Sequence, residues 1–175
     1  VLAQTLRQIH ADSRLTVLVL DAPEAPSDSG LFRTLSFEDI VADAAERQRL
    51  AFIYDVTELS TAVKPLLMRY LLKEGAESVL YFDPDIQVFD SVADLWTLAR
   101  DRDIVLTPHM LSPIQDDGLG VSDLCIAQAG QFNLGFLGLG AGAEAFLDWW
   151  AGRLRRHCVS APEAGIFVDQ KWIDF

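Results

Sequence analysis

Short apolar runs alternate along this chain with stretches in which apolar residues recur every three or four positions. A run of four to six apolar residues suits a strand buried on both faces, whereas 3.6-residue spacing suits a helix with one buried stripe. The runs fall at residues 15–20, 51–54, 79–82, 104–106 and 132–139. Between them, helices are predicted at 1–10, at 36–47, where Ser36 and Asp39 form a capping box, at 59–75, at 95–100 and at 144–155. In the third of these Leu59, Val63, Leu66, Leu67, Tyr70 and Leu71 share a face, Pro65 suits the first turn, and Gly75 ends the helix. In the last, Phe146, Leu147, Trp150 and Leu154 point inward. Strands alternating with helices predict an α/β fold with a mostly parallel sheet flanked by helices and ligands at the carboxyl ends of its strands. Residues 21–30 and 111–130 carry the Pro, Gly, Ser and Asp content of loops.

At 175 residues, half of them hydrophobic, the chain suits one domain with a single core, residues 1–175. The net charge of −12 repels phosphate backbones, which argues against a nucleic-acid partner. An anionic small substrate would need a metal or local positive charge to offset that field. Two cysteines, Cys125 and Cys158, without a CxxC pair, suit a reducing cytoplasm rather than a disulfide scaffold or cysteine zinc site. No signal peptide pattern and no uncharged apolar run of about 18 residues is present, so no transmembrane segment is expected. Residues 1–10 read as a helix without an N-cap, and the aromatic-rich end at 169–175 has no polar tail. Both ends therefore read as cuts through a longer fold.

The segment Val79-Leu80-Tyr81-Phe82-Asp83-Pro84-Asp85-Ile86 carries the most chemistry. A buried strand in the middle of the sheet would deliver two carboxylates at its carboxyl end. Residues two apart in extended chain point the same way, so Asp83 and Asp85 face one spot. Like charges that close repel unless a cation or proton lies between them, and hard oxygen ligands favour Mg²⁺ or Mn²⁺. The same pattern also serves as a turn after a strand. Lys64, at the start of the preceding helix, adds a positive charge where free amides already favour anions.

Together these segments resemble a GT-A fold nucleotide-sugar glycosyltransferase, close to the retaining family-eight type that includes glycogenin and bacterial galactosyltransferases. The resemblance covers about residue 54 to the end. Thr61-Ala62-Val63-Lys64-Pro65 is similar to the family's helix start with a donor-contacting basic residue, and 79–86 to its DxD strand. Phe132-Asn133-Leu134-Gly135-Phe136 resembles the segment lining the sugar pocket, and Phe167-Val168-Asp169-Gln170 the Asp-Gln pair beside the reacting sugar. The resemblance implies a partial GT-A-like domain whose first strand and C-terminal segment, with a third metal ligand, lie outside the sequence. It implies metal-dependent transfer of a sugar from a nucleotide-diphosphate donor, such as a UDP-sugar, to a saccharide, lipid or protein acceptor. Asp83 and Asp85 would hold Mn²⁺ or Mg²⁺, Lys64 would assist at the donor, and Asn133, Asp169 and Gln170 would orient the sugar. His109 follows a strand without matching a ligand of the family.

Rival readings remain at this level. Gly138-Leu139-Gly140-Ala141-Gly142-Ala143 has the form of a dinucleotide-binding turn, although no convincing strand leads to Glu163, the acid at a suitable distance. A haloacid dehalogenase-like phosphatase also uses a D-x-D after an apolar strand, but Gln87 stands where it usually has Thr or Val, and Asp116-Asp117 poorly matches its downstream acids. A non-catalytic nucleotide-sugar-binding domain is the third alternative. Trp149-Trp150 is either a sugar-stacking platform or core.

Overall fold

The computed structural model describes residues 1–21, 30–115 and 117–175. Most of the loop expected at 21–30, and Asp116, lie outside the described residues. The elements run α1 (Leu2–Ile9), β1 (Thr16–Val19), β2 (Arg33–Ser36), α2 (Phe37–Ile40), α3 (Ala44–Ile53), α4 (Val56–Ala62), α5 (Lys64–Lys73), β3 (Ser78–Phe82), α6 (Ala93–Arg102), β4 (Ile104–Pro108), α7 (Asp123–Ala129), β5 (Phe132–Gly140), α8 (Glu144–His157), β6 (Ser160–Ala161) and β7 (Ile166–Phe167), with a 3₁₀ segment at Gln170–Asp174 near the end. The fold is α/β. Among the described residues no helix is long and apolar enough to cross a membrane.

Strand direction departs from the mostly parallel sheet expected. β1 and β2 pair in parallel, but the three-stranded sheet has the order β3-β5-β4 and both of its pairings are antiparallel. β3 and β4 therefore run the same way, joined through α6, with β5 inserted between them against their direction. Apolar runs report burial and not direction, which is why the pattern misleads here. β3 is accordingly an edge of its sheet rather than its middle strand.

Four local readings also change. Residues 51–53 close α3 instead of forming a strand, since a short apolar run has no periodicity of its own and Asp43 caps a helix that runs through it. Phe52 is 90% exposed, so the run is not buried as a strand would be. The helix expected at 36–47 breaks after Ile40, although Ser36 and Asp39 do form their capping box. The helix expected at 59–75 is two: α4, with a capping box from Asp55 and Glu58, and α5, with Pro65 in its first turn. Within the expected loop 111–130, Ser122 caps α7.

The core forms where α8 lies over β5 and α5. Leu147, Trp150 and Leu154 of α8, Leu134, Leu137 and Leu139 of β5, and Met68 of α5 are all buried in one cluster. Trp150 thus belongs to the core, its indole N–H donating to Asp169 O at 3.2 Å. Tyr54, just past α3, donates to Leu154 O at 2.6 Å and accepts from Cys158 N at 3.0 Å, which locks the end of α3 to the end of α8.

The glycines of 138–142 have a packing role. A Cβ on Gly138 would lie 3.1–3.2 Å from Leu80, Ala99 and Val105, and one on Gly140 would lie 2.5 Å from Ala99 O. They let α6, whose Ala99 is wholly buried, press against β5. Gly142 N–H is bound by the Asp103 carboxylate at 2.9 Å. The run is therefore a close helix–strand contact. Gly140→Ala should destabilise the fold by about 1–3 kcal/mol through backbone overlap that no rotamer relieves, measured as a lower urea midpoint with an unchanged slope.

Candidate functional site

At the carboxyl end of β3 the chain turns on Asp83, whose N–H donates to Gly135 O at 2.8 Å and whose C=O accepts from Ile86 N at 3.1 Å. The antiparallel register that aligns Phe82 with Phe136 brings β5 alongside. β5 is irregular there. Leu106 pairs with Leu137 and Thr107 with Asn133, so Leu134, Gly135 and Phe136 have no partner on β4. Bulges of this kind redirect backbone groups and side chains. This one frees Leu134 O, which accepts from Lys64 Nζ at 3.0 Å.

Lys64 is the hub. It opens α5 and points inward, with only 5% of its surface exposed. Its ammonium lies 3.1 Å from Asp169 Oδ2, 3.6 Å from Asp83 Oδ1 and 4.6 Å from the centre of the Tyr81 ring. A buried ammonium requires such neighbours, because desolvation otherwise costs several kcal/mol. Asp169 is equally enclosed, at 2% exposed. It follows Val168, whose φ of 38° is rare for a β-branched residue. That strained step, worth about 1–3 kcal/mol, is held by Val168 N–H donating to Val159 O at 2.9 Å. Burial pushes the Asp169 carboxyl above the ordinary aspartate range, with the Lys64 charge working against it.

Tyr81 completes the cluster. Two positions before Asp83 on the same strand face, its hydroxyl donates to Asp83 Oδ1 at 2.7 Å. Burial, then the bond to Asp83, push the phenol upward, so it remains a donor at neutral pH. With Oδ1 thus occupied, Asp83 Oδ2 lies on the side of Gly135, where a Cβ would come within 3.3 Å of it and 2.9 Å of Asn133 Oδ1.

The residues singled out in the sequence divide into two groups. Lys64, Asp83 and Asp169, from three separate segments, meet in one ionic cluster, and Asn133 borders it, its Oδ1 accepting from Gly135 N at 2.8 Å. Asp85 is exposed beyond the turn. Gln170 is turned aside, its Nε2 donating to Ala129 O at 3.1 Å. His109 Nδ1 donates to Gly130 O at 3.0 Å. Among the described residues no group of three or more His, Cys, Asp or Glu side chains is placed to hold a metal ion, and a turn at Pro84–Asp85, closed by Ile86 N–H donating to Asp83 O, replaces the extended chain on which Asp83 and Asp85 were expected to face one spot. Sequence reasoning missed Tyr81, although its place two residues before Asp83 was a usable signal.

No protein-family model matches the chain, and no solved structure matches it. It is similar to the uncharacterized protein YfnF of Bacillus subtilis (strain 168), with 26% identity over 188 residues, covering 99% of this chain. The chain spans 59% of the length of that relative.

The raised position of Asp169 has a pH signature. Between the unfolded-chain value, about 3.9, and the higher folded value, the folded protein holds a proton that the unfolded chain has released. Unfolding free energy therefore falls as pH rises through that window. Hydrogen bonds and ion pairs that lower Asp39, Glu46 and Glu74 act in the opposite direction, so the test is the difference: in urea unfolding from pH 3 to 7 the wild type should lose stability relative to Asp169→Asn as pH rises, and identical slopes in the two proteins would refute the assignment.

Proposed function

We propose that the chain is the donor-binding part of a GT-A-like, metal-dependent glycosyltransferase that moves a sugar from a nucleotide-diphosphate donor to an acceptor. The observation that supports this reading best is the convergence of Lys64, Asp83 and Asp169 from distant segments at the end of one strand. A turn that merely ended a strand would not need a buried lysine and a buried carboxylate, Asp169, behind it.

The donor set suits a hard divalent cation. Mg²⁺ is commonly bound through one or two carboxylates, with waters and substrate phosphates filling its other positions. Asp83 and Asp85 would hold Mn²⁺ or Mg²⁺, and the metal, when bound, neutralises charge developing on the departing nucleoside diphosphate. Lys64 and Tyr81 fix the Asp83 carboxylate through Oδ1. Asp169 supports Lys64 from behind, a positioning role rather than contact with the sugar. Asn133, beside Gly135, would orient the sugar ring, whereas Gln170, bound to Ala129 O, would have to swing out of that contact to do so. Retention of configuration follows from the family-eight resemblance, and the phosphatase alternative is weakened by Gln87.

Calorimetry and thermal-shift measurements with UDP, GDP and their sugars, in Mn²⁺ or in EDTA, test the proposal. Stabilisation should need the metal, reach about 2.7 kcal/mol at a hundredfold excess over Kd, and weaken at least tenfold in Asp85→Ala. Absence of any nucleotide response in the intact protein would sink it. Metal-dependent UDP binding without donor turnover would instead favour the non-catalytic domain, and metal-dependent phosphate-ester hydrolysis the phosphatase.

A further inference from the structure

Asp83 carries the charge that a metal would use, yet a cation of the protein's own already stands beside it. Lys64 Nζ is 3.6 Å from Asp83 Oδ1 and 3.1 Å from Asp169 Oδ2. The two carboxylates differ in their access to water: the Asp83 side chain is 38% exposed and that of Asp169 is 3% exposed. Water screens the first attraction and leaves the second strong. Asp169 therefore anchors the ammonium, and Asp83 takes the smaller share of it.

The surrounding contacts hold Lys64 in this shared position. Its ammonium donates to Leu134 O at 3.0 Å. Asp169 Oδ2 is buried without an aligned hydrogen bond among the described residues, so the ammonium compensates it through charge. Tyr81 couples the partners from the other side. Its ring faces the ammonium at 4.6 Å, and its hydroxyl donates to Asp83 Oδ1 at 2.7 Å. One Asp83 oxygen thus meets both a cation and a hydroxyl, and Oδ2, on the side of Gly135, is the oxygen left for a ligand.

We propose that Lys64 is the resident counter-ion of Asp83, and that its division between Asp83 and Asp169 sets how tightly the candidate site takes a divalent cation. That role presupposes the metal-dependent reading above and names its control. A positive charge beside a carboxylate weakens the hold of that carboxylate on a second cation, because the two cations repel. Lys64 thereby orients Asp83 while keeping its grip on a bare metal ion loose.

Asp169, enclosed behind Lys64, acts through it as a positioning residue. By drawing the ammonium toward itself it keeps Asp83 available. Neutralising Asp169 leaves Asp83 as the carboxylate partner of Lys64 among the described residues and closes the site to a metal. Removing the ammonium opens it. Effects of opposite sign separate this role from a structural one, since altering a residue that only holds the fold together weakens binding and does not strengthen it.

Mn²⁺ binding to the intact protein tests this without nucleotide, by calorimetry and by loss of the paramagnetic resonance signal of the free aqua ion. Lys64→Met/Asp169→Asn removes the buried ion pair without changing net charge, and should bind Mn²⁺ at least tenfold more tightly than the wild type. Asp169→Asn alone should bind it at least tenfold more weakly. Thermal unfolding shows whether each variant is folded. Should the double variant fail to fold, weakened binding by folded Asp169→Asn supports the proposal and unchanged binding overturns it. Equal or weaker binding by the folded double variant overturns the proposal and leaves the metal site itself standing. Mn²⁺ bound by none of the three proteins overturns it together with the metal-dependent reading.

Discussion

A lysine ammonium held inside the protein between two aspartates organises the centre of this fold. Lys64 ties the start of α5 to the end of β3 through Asp83, to the bulge of β5 through Leu134 O, and to the segment before the final 3₁₀ turn through Asp169. Burying these charges costs more than their attraction alone is expected to return, and Val168 adds backbone strain beside them. Replacing a buried ion pair such as Lys64–Asp169 with apolar side chains of similar volume is often neutral or stabilising. Such an arrangement is more readily explained by chemistry than by stability, because perturbed, enclosed charges cluster where function requires them.

The surrounding packing makes that arrangement rigid. Trp150, fully buried in α8, donates to the carbonyl of Asp169, so the core helix fixes the residue that fixes Lys64. On the other side of β5, Gly138 and Gly140 admit α6 at backbone contact distance. β5 is therefore clamped between two helices while its far end bulges to serve Lys64. One strand carries both the close glycine contacts with α6 and the irregularity of the candidate site, and the bulge lies at the end away from Gly138 and Gly140.

Much of this was legible in the sequence, for identifiable reasons. β3, β4, β5, α5 and α8 announce themselves through apolar runs, spacing and end signals, and Lys64, Asp83 and Asp169 stand out as charges beside such elements. Strand direction was not legible, since burial of β5 on both faces gives the same apolar pattern whichever way it runs. Residues 51–53 misled because three apolar residues ending a helix look like a short strand. The partnership of Tyr81 with Asp83 needed only the two-residue period of a strand. The closeness of Asp169 to Lys64 needed the bulge and the left-handed turn at Val168, which no local pattern records.

The inward turn of Lys64 changes what the site asks of its ligand. A lysine at a helix start, read from sequence, offers its charge to a phosphate; here that charge is already balanced by Asp83 and Asp169 and shielded from solvent. The remaining field at the end of β3 comes from Asp83 and exposed Asp85 on a chain of net charge −12. A nucleoside diphosphate approaching that spot meets repulsion unless a cation comes with it. On the proposed reading, metal dependence is therefore set by electrostatics in the ground state, before any bond to the sugar is broken, and donor binding should be lost with the metal rather than merely slowed.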